Sequence, residues 1–154
     1  MAEVRFYALQ RRRLEAALAE LVQEGFAAGL RVAVQAGDAE LVASLDDRLW
    51  TFDDQSFLPH GLANTADSAR QPLTLGEGGD NPNGAQWRIF VGGADPAPFL
   101  AMESPGYERL MCLFDNTSNE AKAAARKAWT AAKALGVEVG FWREGEEGGW
   151  ARSR

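Results

Sequence analysis

One cysteine and one histidine are all that this chain of 154 residues offers of the two side chains most used in metal centres and disulfide frameworks. Cys112 alone excludes an internal disulfide, and His60 alone excludes most zinc constellations. No apolar run approaches ~18 residues, and the stretch from Met1 to Leu9 lacks the apolar core of a signal peptide. A cytoplasmic protein without a membrane contact is the expectation. Positive charge is also scarce, with 16 Lys and Arg against 22 Asp and Glu and a formal net charge of −6. Such a chain does not adhere to nucleic acid through its overall field. Contact with DNA is expected only indirectly, through another protein, or at a local patch.

What is present is ordinary for one globular domain. A hydrophobic fraction of 46% and a charged fraction of 25% exclude collagen-like, coiled-coil and wholly disordered chains. The length suffices to bury a core without a metal or disulfide staple. No internal repeat is visible.

Residues 4–9 read as a strand, and from about Leu14 to Ala28 the apolar residues Leu14, Leu18, Leu21, Val22 and Phe26 take helical spacing. Arg11 to Arg13 stand near the start of this helix, a basic triplet that invites a nucleic-acid reading but reads first as a solvated helix face. A second strand spans 31–36. A helix capped by Asp38 follows, with Leu41, Val42, Leu45 and Leu49 on its buried side. Residues 51–70 form a long connection without a period. A strand at 72–75 leads into the glycine-rich stretch 76–84, which reads as a hairpin or linker, and then a strand at 87–91. A short helix at 98–102 and a strand at 109–114 come next. Thr117 and Glu120 have capping-box spacing before a helix over about 118–134, and 137–142 closes the series as a strand. Alternating strands and helices predict a three-layer α/β/α sandwich around a mostly parallel sheet. The domain is expected over 1–143, with 144–154 as a flexible tail.

Two nucleotide-binding tests fail. Gly79 and Gly84 have phosphate-loop spacing, but Ala85 stands where the phosphate-binding lysine must be, and Gln86 where the hydroxyl should be. Gly76 and Gly78 begin a dinucleotide fingerprint that Asn81 breaks. The acid pairs Asp46–Asp47 and Asp53–Asp54 do not converge, because neighbours on a helix point about 100° apart. Cys112 lies within an apolar strand, where an inert thiol is the default, and His60 reads as a packing or capping residue. No catalytic residue, metal or cofactor is nominated. An α/β enzyme with an unrecognised site and a degenerate nucleotide-binding regulatory domain stay open as alternatives to a binding protein.

Two clusters invite a binding role. Between Ala121 and Leu135 there are four cations and no acid, and Lys122, Arg126, Trp129 and Lys133 form one stripe. Cations interrupted by an aromatic wall suit an acidic peptide with an apolar end, while a solvated helix with Trp129 in the core is the plainer alternative. The second cluster is Trp50, Phe52, Phe57, Leu58 and Pro59, either core anchors or an exposed patch.

The segment from Arg31 to Asp38, the helix ending Leu45-Asp-Asp-Arg-Leu-Trp50, and Ser56-Phe-Leu-Pro-His-Gly-Leu-Ala63 resemble the chi subunit of bacterial DNA polymerase III. The opening Val4-Arg-Phe-Tyr stretch and the basic helix ending Leu135-Gly136 are similar to that family too. The resemblance covers about residues 3–142. It implies a non-catalytic adaptor of the clamp-loader assembly in DNA replication, in a fold related to nucleotide-binding domains but without a nucleotide. The partners it implies are the psi subunit and the acidic C-terminal tail, ending in Pro-Phe, of single-stranded DNA-binding protein. The tail-binding surface would be Lys122, Arg126 and Trp129, with Phe114 as apolar neighbour and Lys133 beyond. The psi-facing surface would be Trp50 and Phe57, with Leu58, Pro59 and His60 beside them. A helicase related to the iron–sulfur DNA-repair type is a second candidate for that surface. The family's helix often carries Tyr where Trp129 stands, which keeps the aromatic wall.

Overall fold

A computed structural model of the chain describes residues 3–51, 59–101, 107–145 and 149–153, without the side chains of residues 50 and 51. Its strands and helices, in chain order, are β1 (Glu3–Leu9), α1 (Leu14–Ala27), β2 (Val32–Ala36), α2 (Ala39–Thr51), β3 (Gly61–Leu62), β4 (Leu73–Gly76), β5 (Trp87–Val91), β6 (Arg109–Asp115), α3 (Asn119–Ala134), β7 (Val139–Glu144) and β8 (Trp150–Ser153). They build one sheet in the order β3-β4-β2-β5-β6-β1-β7-β8. Every pairing is parallel except that of β7 with β8. Among the described residues no helix is long and apolar enough to cross a membrane.

The sheet is covered on both faces, as parallel sheets require. On one face Tyr7, Val34, Leu75, Ile89 and Met111 meet Leu18, Leu21 and Val22 of α1 and Leu45 and Leu49 of α2. On the other, Phe6, Phe90, Leu110 and Cys112 meet Ala128 and Ala132 of α3. The expected three-layer sandwich is the fold formed. The crossovers from β1 through α1 to β2 and from β6 through α3 to β7 leave in opposite directions along the sheet. The chain thus places α3 alone on its own face.

Local chemistry sets the element ends. Asp38 caps α2 through Oδ1, which accepts the N–H of Leu41 at 2.8 Å. Gly37 ends β2 where a Cβ would fall 2.1 Å from the carbonyl oxygen of Gly92, so only glycine lets these two turns touch. The 118–134 helix begins one residue later than its capping-box spacing implies. Ser118, not Thr117, is the cap, its Oγ accepting the N–H of Ala121 at 3.2 Å. Thr117 instead donates to Asp115 Oδ1 through its hydroxyl at 2.6 Å and its N–H at 2.8 Å.

Three further expectations are corrected. The helix proposed at 98–102 is a single 3-10 turn over Ala97–Phe99 among the described residues. Of the two readings of 76–84, the linker is the one formed and the hairpin is not, because β4 and β5 both run parallel to β2 and flank it. The chain returns the length of the sheet without a helix. Arg88 holds this crossover by donating to the carbonyls of Gly78 at 2.8 Å and Asp80 at 3.1 Å. The end of the chain, read as a flexible tail, contributes β8 from Trp150 to Ser153. Gly149, at φ 72°, supplies the left-handed residue just before the returning strand.

Candidate peptide-binding site

α3 lies on β6 and β7 by its alanine side and by Trp129. The indole is half-buried and tilts against Phe6, 5.6 Å away, and meets Phe141 edge-on at 6.2 Å. Phe114 closes the row 6.0 Å from Phe141. Between this aromatic floor and the helix is a cleft of about 240 Å³, lined by Phe6, Phe114, Phe141, Ala125, Trp129 and Asn116, with Lys122 and Arg126. Lys122 and Arg126 are exposed one helical turn apart, so two cations stand over an apolar hollow. Trp129 serves both readings of the sequence, as core on its Phe6 side and as wall on its open side.

The structure brings Phe114, Lys122, Arg126 and Trp129 together around one cleft. Lys133 does not line it. Its Nζ lies 5.3 Å from the Trp129 ring centroid, on the turn beyond. Sequence reasoning missed Phe6, Asn116, Ala125 and Phe141. Phe6 and Phe141 could have been found from strand alternation once β1 and β7 were known neighbours, since Phe6 and Phe141 pair in register. Asn116 and Ala125 carry no such signal.

The other cluster is described only at its edges. Phe57 and Leu58 lie outside the described residues, as does the Trp50 side chain. Pro59 is half-buried and His60 is 4% exposed. His60 Nε2 sits 3.0 Å from Asp46 Oδ1 on α2. This contact ties the long connection to the helix, the packing role expected of it.

On the far side of α3 a larger cavity of about 580 Å³ opens between Ala121, Ala124, Ala128 and the turn from Gly92 to Ala97. Cys112 forms part of its floor, and burial pushes that thiol far above its ordinary value. Burial thus favours the protonated thiol over the nucleophilic thiolate.

The model of the DNA polymerase III chi subunit family, HolC, matches residues 1–140. The chain belongs to the chi-subunit family. Two relatives are the DNA polymerase III subunit chi of Pseudomonas aeruginosa and a probable DNA polymerase III subunit chi of Rickettsia prowazekii. The first is 30% identical over 87 residues, 56% of this chain and 54% of that protein. The second is 23% identical over 105 residues, 67% of this chain and 64% of that protein. The matched parts thus span about half to two thirds of these relatives. Within the chi-subunit match fall β1, all three helices and the cleft residues from Phe6 to Trp129. Phe141 lies just past its end.

Proposed function

We propose that this chain is a non-catalytic accessory subunit of DNA polymerase III, and that the α3 cleft receives the acidic C-terminal tail of single-stranded DNA-binding protein. The observation that carries the reading is the pairing of an apolar hollow with two exposed cations in a chain of net charge −6. The terminal Phe of the tail fills the hollow against Phe114 and Trp129. Its carboxylate pairs with the Arg126 guanidinium, whose planar fork suits a bidentate contact. Lys122 attracts the preceding acids as a point charge, and Lys133 does so more weakly from outside the cleft. The second surface, at Trp50, Phe57, Leu58 and Pro59 with His60 packed beneath it against Asp46, takes the psi subunit of the clamp loader, or a helicase using the same face. The chain then links that partner to the single-strand binding protein in the cytoplasm.

Calorimetry with a synthetic tail peptide tests the first contact. Arg126→Ala is expected to weaken binding by about tenfold or more, the scale of a lost charge-assisted hydrogen bond of ~1.5–3 kcal/mol. Lys133→Ala should cost clearly less. Equal affinity of wild type and Arg126→Ala would overturn the assignment.

A further inference from the structure

The face of the sheet opposite α3 is uneven. α1 leaves β1 toward β2, away from β7 and β8. On that face the side chains of β1, β7 and β8 alternate guanidinium groups with aromatic rings. Arg5 Cζ lies 4.6 Å from the Trp142 ring centroid and Arg152 Cζ lies 5.1 Å from the same ring. Tyr7 stacks on Trp142 at 5.5 Å and receives the edge of Trp150 at 5.1 Å. Arg12 stands 5.0 Å over Trp150. At the other end of β1, Arg109 lies over Trp87 at 4.4 Å. The row follows β1 from Glu3 to Leu9, a length of about 20 Å at the rise of a strand.

Three buried nitrogen donors lack a hydrogen-bond acceptor among the described residues: Arg12 Nη1, Arg109 Nε and Trp150 Nε1. Trp150 and Arg12 belong to this row, and Arg109 stands beside it on β6. Glu3 is the nearest acid to Arg109 Nε, at 3.7 Å, too far for a hydrogen bond. These three atoms are closed off from solvent, so a ligand is met by the guanidinium groups at the surface of the face, Arg152 above all. Among the described residues the acids nearby are mostly engaged. Glu3 pairs with Arg5, Glu20 with Arg12, and Glu144 accepts the N–H groups of Gln10, Arg11 and Arg12 at 2.8–2.9 Å. Glu24, exposed on α1, is close enough to raise the Tyr7 hydroxyl further, after burial has done most of that work.

We propose that this Arg–Trp face of β1, β7 and β8 binds single-stranded nucleic acid. Phosphate oxygens supply acceptors to the solvent-facing N–H groups of Arg152, Arg5 and Arg12, and bases supply flat faces for the guanidinium groups and the rim of the Trp142 ring. An acidic peptide with one terminal aromatic offers acceptors but no succession of flat rings along the row. This departs from the sequence reading, in which DNA is met only through another protein, and it is independent of the α3 cleft on the opposite face.

Fluorescence anisotropy with a labelled thymidine oligonucleotide and the purified chain tests the proposal at low salt. Binding is expected to weaken with salt, at a log–log slope of about −0.7 per phosphate contacted. Arg152→Glu, at an exposed position, should weaken binding about fivefold or more and reduce the slope magnitude by about one contact. Glu24→Gln should strengthen it. Arg126→Ala should leave it unchanged, which separates this face from the peptide cleft. Circular dichroism verifies that each variant is folded, and Arg5→Lys gives a second, milder loss should Arg152→Glu disturb β8. Absence of binding, equal affinity in Arg152→Glu, loss in Arg126→Ala, or a dimer in sedimentation that the oligonucleotide does not dissociate would each overturn the proposal.

Discussion

At the scale of single residues, Glu144 shows how one carboxylate can fasten two ends of the chain. It ends β7 and accepts three successive N–H groups from the turn between β1 and α1. Burial pushes its carboxyl upward, but the three donors together outweigh that and leave it below its ordinary value. A folded-state value below the unfolded one stabilises the fold above the unfolded value, about pH 4.3, and the contribution is lost as pH falls through the folded value. Wild type is therefore expected to exceed Glu144→Gln in urea midpoint at neutral pH. The gap should narrow as pH drops from about 5 to 3, and a constant gap across that range would refute the account. Arg88 makes the complementary point about legibility. It is 1% exposed in the middle of β5, where it donates twice to Gln35 Oε1 and to two loop carbonyls. β5 is buried on both faces, so Trp87 to Val91 has no polar alternation from which to tell a buried arginine from a solvated one. Its partners become visible only when the crossover after β4 is in place.

At the scale of elements, the strands and helices with a strong period were legible and the caps and edges were not. Leu14 to Phe26 and Leu41 to Leu49 announced α1 and α2 because each must bury one stripe against the sheet. The start of α3 was misread by one residue, since Thr117, Ser118 and Asn119 can all cap and only the Asp115–Thr117 turn decides among them. The closing strand β8 was hidden by composition. Three glycines and three glutamates between residues 144 and 149 look like a tail, while the pairing that rescues Trp150 to Ser153 is with β7. Helix α3 bears the cleft cations in its first two turns, so its start matters to the site. Ser118→Ala removes the one side-chain acceptor at that end and is expected to cost about 1 kcal/mol, read as a lowered thermal midpoint. Ser118→Asp should recover most of it, because an acid at a helix start also suits the dipole. If Ala and Asp behave alike, Ser118 is not the cap in solution.

At the scale of the whole molecule, the sign of the charge and its placement pull in different directions. The chain carries −6, yet α3 holds its cations without a single acid between Ala121 and Leu135. An acidic tail approaching from afar meets a repulsive field, and only within roughly a Debye length, ~10 Å at 0.1 M salt, does it sense Lys122 and Arg126 alone. Salt therefore acts twice. It screens the long-range repulsion, and it screens the short-range attraction to exposed cations. The apolar hollow of Phe6, Phe114, Trp129 and Phe141 is insensitive to that screening. The balance predicts a curve with a shape. Tail affinity should fall by about tenfold between 0.05 and 0.5 M salt as the cation contacts are screened, then level off near 1 M, where the Debye length is ~3 Å and burial of the terminal Phe remains. A peptide with its terminal Phe replaced by Ala should lack that floor and lose binding altogether at high salt. A curve that keeps falling for the intact peptide would mean that the hollow contributes nothing and that the cations of α3 act alone.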